Sequence, residues 1–485
     1  MKKFKYIISI LILALVFTSC EEYLDHQPSV DISEQQLLEN LSGYQVILNG
    51  IYKYIKTGTN GITVGIAGMQ AYNATASPDL WVREIGNGFY FSSIFLSSRT
   101  EADGSYANRA WEYNYKIINH CNIILETIDT FNEAQPDGVA EIKGQALAIR
   151  AWAYFNLIRY FQQTYVIAKS QPGVPIYTSR ATAEREQADR STVEQVYTLI
   201  LEDLNSALSL LSNYERPRME YINKDVVNTF LAQVYITMQN WGEAASHANA
   251  ARSAYPLMTG EEYSSGFATS NNEWIWGFSQ TENDNIQTQN LFGRWGINDH
   301  RPAGTVFADN TLRCNESFVN MFEAGDVRNQ FWYKDAGALN SGWASDKFRD
   351  DGADYYGDMI ITRAAEMYLI EAEALAEQNQ TSQALALLNE LQTARNATLT
   401  TTTDKAALLD AIWIEKRKDL YSEGLVFWDL LRMQKDLVKA GDAQDQFAIP
   451  ARSYQFIMQI PTDEMNFGGI SVQNPLDDIY SLNSN

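Results

Sequence analysis

At 485 residues, 45% hydrophobic and 12% aromatic, the chain is long enough to build one large core or two coupled lobes. Its formal net charge of −23 argues against nucleic acid and other polyanions as ligands, because basic patches do that work. An uncharged glycan or a peptide fits better.

Residues 1–19 have the form of a secretory signal. Lys2, Lys3 and Lys5 give a positive start, and Tyr6 to Phe17 form an apolar run too short for a membrane span of roughly 20 residues. Thr18 and Ser19 lead directly into Cys20. A cysteine after small residues at the end of such a run is the pattern of a bacterial lipoprotein, in which the thiol is diacylated and Cys20 becomes the new N-terminus. Phe17 stands where leucine is commoner, and an ordinary secreted protein with a chance cysteine is the competing reading. Removing residues 1–19 takes away three lysines and no acids, moving the charge from −23 to −26. No later run is long enough to cross a membrane. Of the remaining cysteines, Cys121 lies in a helical pattern and reads as a small buried hydrophobe; it and Cys314 are the one pair open to a disulfide.

Residues 20–32 read as a tether, followed by an N-terminal helical region over 33–255. Helical periodicity begins near Ser33 and continues through Ile51 and Ile55. The stretch holding Gly58, Gly61, Gly65 and Gly68, leading into AYNATASPDLW, lacks the Gly-Lys-Ser/Thr ending of a phosphate loop and reads as loop and short strand. Helices are expected over 107–129, with Trp111, Tyr115, Ile118 and Leu125 facing a core, and over 139–161, closed by the Pro172-Gly173-Val174-Pro175 turn. Ser191 or Thr192, with Glu194 close behind, caps the next. Residues 226–252 carry a helix hairpin in which Asn240-Trp241-Gly242 makes the turn. Shifted by 140 positions, Ala232 falls on Ala372 and Ala244 on Ala384, so AEMYLIEAEALAEQNQTSQALALLNELQ is a second hairpin of the same kind. Small residues at these positions let paired helices approach closely, as in tetratricopeptide repeats. The fold class is therefore mainly α: a tetratricopeptide-type helical repeat scaffold with a loop-rich face carrying short strands. Between the hairpins, residues 256–358 form a loop-rich insert with Trp274, Trp276, Trp295, Trp332 and Trp343 among Gly, Asn, Asp and Ser. A C-terminal helical region covers 359–485.

From signal to C-terminus the chain resembles the SusD/RagB family of Bacteroidetes nutrient-uptake lipoproteins. EIKGQALAIRAWAYFNLIRYF (141–161) with Gly173-Val174-Pro175, and RSTVEQVYTLILEDLNSAL (190–208) with Asp203-Leu204, carry the N-terminal half of the resemblance. Arg363 with AEMYLIEAEA, Ala384-Leu385, Leu388-Asn389, Glu415, Arg417, Glu423-Gly424, Trp428-Asp429-Leu430, Arg432, Ile460-Pro461, Glu464 and Gln473-Asn474-Pro475 carry the rest. Leu425-Val426 and Gln162-Gln163 depart from the family pattern, where Arg and Gly are usual. The resemblance implies a binding protein rather than an enzyme, placed on the outer membrane. It would capture an oligosaccharide, or in some members a peptide, for a SusC-like TonB-dependent transporter. Glu21, Glu22 and Asp25, directly after the cysteine, resemble the tag that sends such lipoproteins to the cell exterior.

The quoted family motifs are scaffold, so the site must come from chemistry. A glycan presents C–H faces that stack on flat rings and hydroxyls that need amides, carboxylates and guanidiniums. Two clusters qualify: Asn73, Asp79, Trp81 and Arg83; and Arg294, Trp295, Asn298, Asp299 and Arg301, with Trp332 and Trp343 further on. Trp81→Ala and Trp295→Ala are expected to weaken binding with little effect on unfolding. Trp111, Trp152, Trp413 and Trp428 read as core, and Trp274 and Trp276 as a strand with one ring buried. Asp346, Asp350, Asp351, Asp354 and Asp358 suggest calcium by composition, but their spacing fits no EF-hand loop and a solvated turn is the better reading. Nothing calls for a metal, flavin or nucleotide cofactor. A glycoside hydrolase is the enzymatic alternative, yet with 60 acidic residues paired carboxylates carry no information.

Overall fold

The computed structural model describes residues 34–58, 65–82, 96, 99–102, 105–281, 284, 312–334, 343–348, 357–439 and 447–477. After a single turn at Glu34–Leu37, helix α1 (Leu41–Thr57) starts where Asn40 Oδ1 accepts from Gly43 N at 3.1 Å. The glycine-rich stretch expected as loop and short strand is partly helix α2 (Gly65–Thr75), and all eleven of its residues are buried. A helix buried on every side shows no amphipathic period and needs small residues, here Gly65, Ala67, Gly68, Ala71 and Ala74. Gly65 opens it at φ +54, where an added Cβ would sit 2.3 Å from Lys56 O, so only glycine fits.

Strand β1 (Leu80–Val82) leads to α3 (Ser105–Thr127), α4 (Pro136–Phe161) and α5 (Val193–Leu210). Thr192, paired with Gln195 rather than Glu194, makes the capping box of α5. Arg150 of α4 grips Asp203 of α5 with two bonds of 2.8 Å. The first repeat hairpin is α6 (Lys224–Thr237) and α7 (Trp241–Arg252). The chain then enters the insert, which contributes β2 (Trp274–Phe278), β3 (Leu312–Cys314), β4 (Trp332–Lys334) and β5 (Trp343–Ser345). It returns through β6 (Met359–Arg363) into the second hairpin, α8 (Ala364–Glu377) and α9 (Thr381–Ala394). Helices α6 and α8 begin 140 positions apart, at Lys224 and Ala364, and so do α7 and α9, at Trp241 and Thr381. Ala232, Ala244, Ala372 and Ala384 are all fully buried.

Helix α7 packs directly on α8, so the two hairpins stack as though the insert were absent. Antiparallel pairing of β2 with β6 closes the base of the insert, and a four-stranded sheet in the order β1-β3-β5-β4 ties its strands to the N-terminal region. Helices α10 (Lys405–Leu420) and α11 (Val426–Arg432), the hairpin β7 (Leu437–Lys439) and β8 (Phe447–Ile449), and α12 (Thr462–Phe467) complete the chain. Cys121 and Cys314 are both buried and unpaired. Among the described residues no helix is long and apolar enough to cross a membrane.

The insert is fastened to the scaffold by a buried charge network. Arg363 donates to Glu273 Oε1 at 2.6 Å and to Glu423 Oε1 at 2.9 Å; Arg395 donates to Asp419 Oδ2 at 2.8 Å and Glu273 Oε2 at 3.0 Å. Arg328 grips Asp326 and reaches Glu415 and Asp419, while Lys347 Nζ donates to Glu423 at 2.7 Å. All nine side chains are buried. Each charge is matched, which such burial requires.

Glu366, where α8 meets α6, accepts from Thr362 Oγ1 and Gln233 Nε2, both at 2.7 Å. Burial pushes its carboxyl up to about 7. The folded state therefore holds a proton that the unfolded chain releases, so this contribution is complete below the unfolded value near 4.5 and is lost as pH rises through 7. Glu366→Gln, which keeps shape and removes the charge, should stabilise the protein by about 2–3 kcal/mol at about pH 8 and by little at about pH 4. Thermal unfolding across that range checks it; a gain equal at both pH values would refute it.

Candidate ligand cleft

A cleft of about 650 Å3 lies where three distant segments meet. That volume is in the usual range for small-molecule sites. Helix α3 supplies Asn108, Glu112, Tyr115, Lys116 and Asn119, a set spaced to share one helical face. The segment after the 172–175 turn supplies Tyr177, Arg185 and Gln187, and the C-terminal segment supplies Asp463, Glu464 and Phe467.

The middle wall is held in place before any ligand arrives. Asn122 Nδ2 donates to Tyr177 O at 2.9 Å and to Ser179 O at 3.0 Å, Tyr115 Oη to Pro175 O at 2.7 Å, and Ala181 N to Asn119 Oδ1 at 2.6 Å. Tyr177 Oη donates to Gln187 Oε1 at 3.0 Å and accepts from Ala188 N at 3.1 Å. The Arg185 guanidinium lies 4.0 Å over the Tyr177 ring, whose edge-on neighbour is Tyr115 at 5.9 Å. Phe467, 80% exposed, is the one large ring here that packs on almost nothing. Burial raises the Glu464 carboxyl above its ordinary value, and burial likewise raises Tyr115 well above the usual phenol range. Rings, amides, carboxylates and two cations thus share one concave surface.

The residues singled out from sequence fare differently. Asn73 is buried on α2, accepting from Tyr160 Oη at 3.2 Å. Asp79 is buried against Arg417, which donates to it through Nε at 3.0 Å. Trp81, only 5% exposed, sits in β1 opposite Arg313 and packs into a core that includes Leu80, Trp274, Cys314 and Phe318. Trp332 is buried against Phe318, Phe322 and Tyr421, with ring centroids 5.0–5.8 Å apart. Trp81 and Trp332 thus belong to the second core, while Asn73 and Asp79 are buried against their hydrogen-bond partners. Trp343 is half-buried in β5. Arg83, Arg294, Trp295, Asn298, Asp299, Arg301 and Cys20 lie outside the described residues. Both Trp274 and Trp276 are buried, where one was expected, and Trp428 is only half-buried. Asp358 accepts from Ser270 N at 3.0 Å and Gln280 N at 3.2 Å, joining segments distant in sequence and not forming a solvated turn; Asp350, Asp351 and Asp354 lie outside the described residues. The cleft itself was missed because Trp111, Tyr115 and Ile118 drew attention to the core face of α3. Its signal was the neighbouring polar stripe of Asn108, Glu112, Lys116 and Asn119.

Residues 22–236 match a SusD-like family model described as starch-binding associating with outer membrane, and residues 309–475 match the model of the SusD family. Two SusD-like proteins of Formosa agariphila are 24% and 22% identical over 517 and 530 aligned residues, covering 90% and 96% of this chain and 93% and 97% of theirs. A SusD-like carbohydrate binding protein from Bacteroides vulgatus, solved as a crystal structure, is 26% identical with a TM-score of 0.78, covering 88% of this chain and 96% of its own. A SusD superfamily protein from Bacteroides thetaiotaomicron is similar in fold, with a TM-score of 0.78 at 24% identity over 90% of this chain and all of the other.

Proposed function

Because the chain belongs to the SusD/RagB family, we propose that it is a carbohydrate-binding lipoprotein that captures oligosaccharides at the outer membrane and passes them to a SusC-like TonB-dependent transporter. It acts by binding, not catalysis. The observation that carries this reading is the cleft in which Phe467 and Tyr177 stand beside Asn108, Asn119, Gln187 and Arg185. Flat rings take the apolar face of a sugar, and planar amides and the guanidinium take its hydroxyls. Arg83, Arg294, Trp295, Asn298, Asp299 and Arg301 are retained as further proposed contacts.

Isothermal titration with a panel of neutral oligosaccharides tests the reading. Phe467→Ala should weaken binding of any glycan found by about 5- to 150-fold, on the order of 1–3 kcal/mol, with thermal unfolding unchanged. If peptides bind and no glycan does, the protein belongs with the peptide-uptake members of the family. If Phe467→Ala binds normally and Trp295→Ala does not, the ligand sits on the insert and not in this cleft.

Membrane attachment has its own test. Cys20→Ala should abolish lipid labelling and release the protein from the outer-membrane fraction. Retention of the variant in that fraction would overturn the lipoprotein reading.

A further inference from the structure

A second, smaller chamber of about 60 Å3 lies between α2, α4, α6 and β6, bordered by Trp428 of α11. Its wall carries Arg159, whose guanidinium lies 3.9 Å over the Phe155 ring and 4.5 Å over the Trp428 ring. Two of its five N–H groups are used, Nε on Phe155 O at 3.2 Å and Nη2 on Asn156 Oδ1 at 2.7 Å. Unlike the buried arginines of the charge network, Arg159 forms no ion pair among the described residues.

The carboxylates around it are already engaged. Glu423, on the chamber wall, is held by Lys347 and Arg363; Asp429 by Lys416 and Arg432; and Glu366 accepts from Thr362 and Gln233. Beside Arg159, Asn156 is 5% exposed and its Nδ2 has no acceptor. The amide orientation is fixed, since its oxygen takes the guanidinium hydrogen. A buried amide donor left unpaired costs about 1–3 kcal/mol, and the partly exposed Arg159 beside it is a cation with no paired anion among the described residues. Burial lowers Arg159 to about 10, so it stays charged at neutral pH. Gly424, at φ +78 and with Gln70 Cα only 2.9 Å from where a Cβ would stand, keeps that wall free of a side chain.

We propose that this chamber binds one small monovalent anion, a halide or a carboxylate ion, between the free N–H groups of Arg159 and Asn156 Nδ2. The volume excludes a sugar ring, so the site is separate from the glycan cleft and does not depend on it.

Thermal unfolding of the mature protein in sodium formate, and separately in sodium bromide, up to about 200 mM tests this against sodium gluconate at equal ionic strength, whose anion is too large to enter. Each small anion that binds should raise Tm saturably, by about 1–2 °C at tenfold excess over its Kd. Asn156→Asp keeps the bond to Arg159 and supplies the negative charge internally. It should unfold in gluconate at or above the wild-type Tm and ignore both anions. Arg159→Gln should ignore them too; if it fails to fold, Asn156→Asp and a bromide-soaked crystal decide. An anomalous peak at hydrogen-bond distance from Arg159 and Asn156 supports the site. Response to one anion alone assigns the source. Equal Tm in all three salts, or an undiminished response in Asn156→Asp, overturns the proposal.

Discussion

Replacing Asp419 by alanine should destabilise the protein by at least about 3–5 kcal/mol, the usual cost of removing one partner from a buried ion cluster. Asp419 sits at the centre of the network, with Arg395 at 2.8 Å, Arg328 at 3.1 Å, and Arg363 donating to its carbonyl at 2.7 Å. Burial disfavours its charge, but Arg395, Arg363 and Arg328 together outweigh that and hold its carboxyl well below the ordinary range. Alanine leaves three buried guanidiniums short of an anion. Because Glu273, Asp326, Arg328 and Lys347 belong to the insert, loosening should begin there. Native-state hydrogen exchange should show 256–358 opening before the α6–α9 hairpins, and denaturant unfolding gives the total. A variant within about 1 kcal/mol of wild type would mean the network contributes little. A separate buried cluster, Glu373 with Arg432 and Lys416, predicts acid sensitivity. Glu373, buried yet held near 2 by Arg432 and Lys416, has a folded value below its unfolded one. Its stabilisation is complete above about pH 4.5 and is lost as pH falls toward 2.

The repeat was legible in the sequence because it depends on local spacing. Alanines at matching positions of two hairpins fix helix pairing, and the 140-residue offset carries over unchanged into the helix starts. Helix α2 was not legible, since a helix buried all round has no polar face to set a period. The short strand expected after the glycine-rich stretch is β1, but its pairing was not legible: its partner β3 lies far later in the chain, and a non-local ladder of three residues leaves almost no trace in either segment. The cleft fails for a related reason: its walls come from α3, the 177–187 stretch and α12, and none of these is aromatic and polar enough alone.

Trp81→Ala should therefore unfold more readily, and not simply bind less. The ring is 5% exposed and packs in the second core, so truncation leaves a cavity costing about 3–5 kcal/mol. In a chain of this size that lowers Tm by roughly 3–5 °C. Its indole N–H has no acceptor among the described residues, so no hydrogen bond there adds to the loss. The cavity would also loosen β1 against β3 and, through Asp79, the grip of Arg417 on the same turn. Lys439 Nζ, which donates to Thr75 O at 2.9 Å and Leu80 O at 2.5 Å, limits how far that turn can move. Glycan affinity of the folded fraction should change little. Phe467→Ala gives the opposite pattern, because an 80% exposed ring supports no packing. Measuring Tm and Kd on both variants separates the two faces of the molecule. If Trp81→Ala kept its Tm and lost the glycan, the ring would be a ligand contact and the cleft at α3 would not be the site.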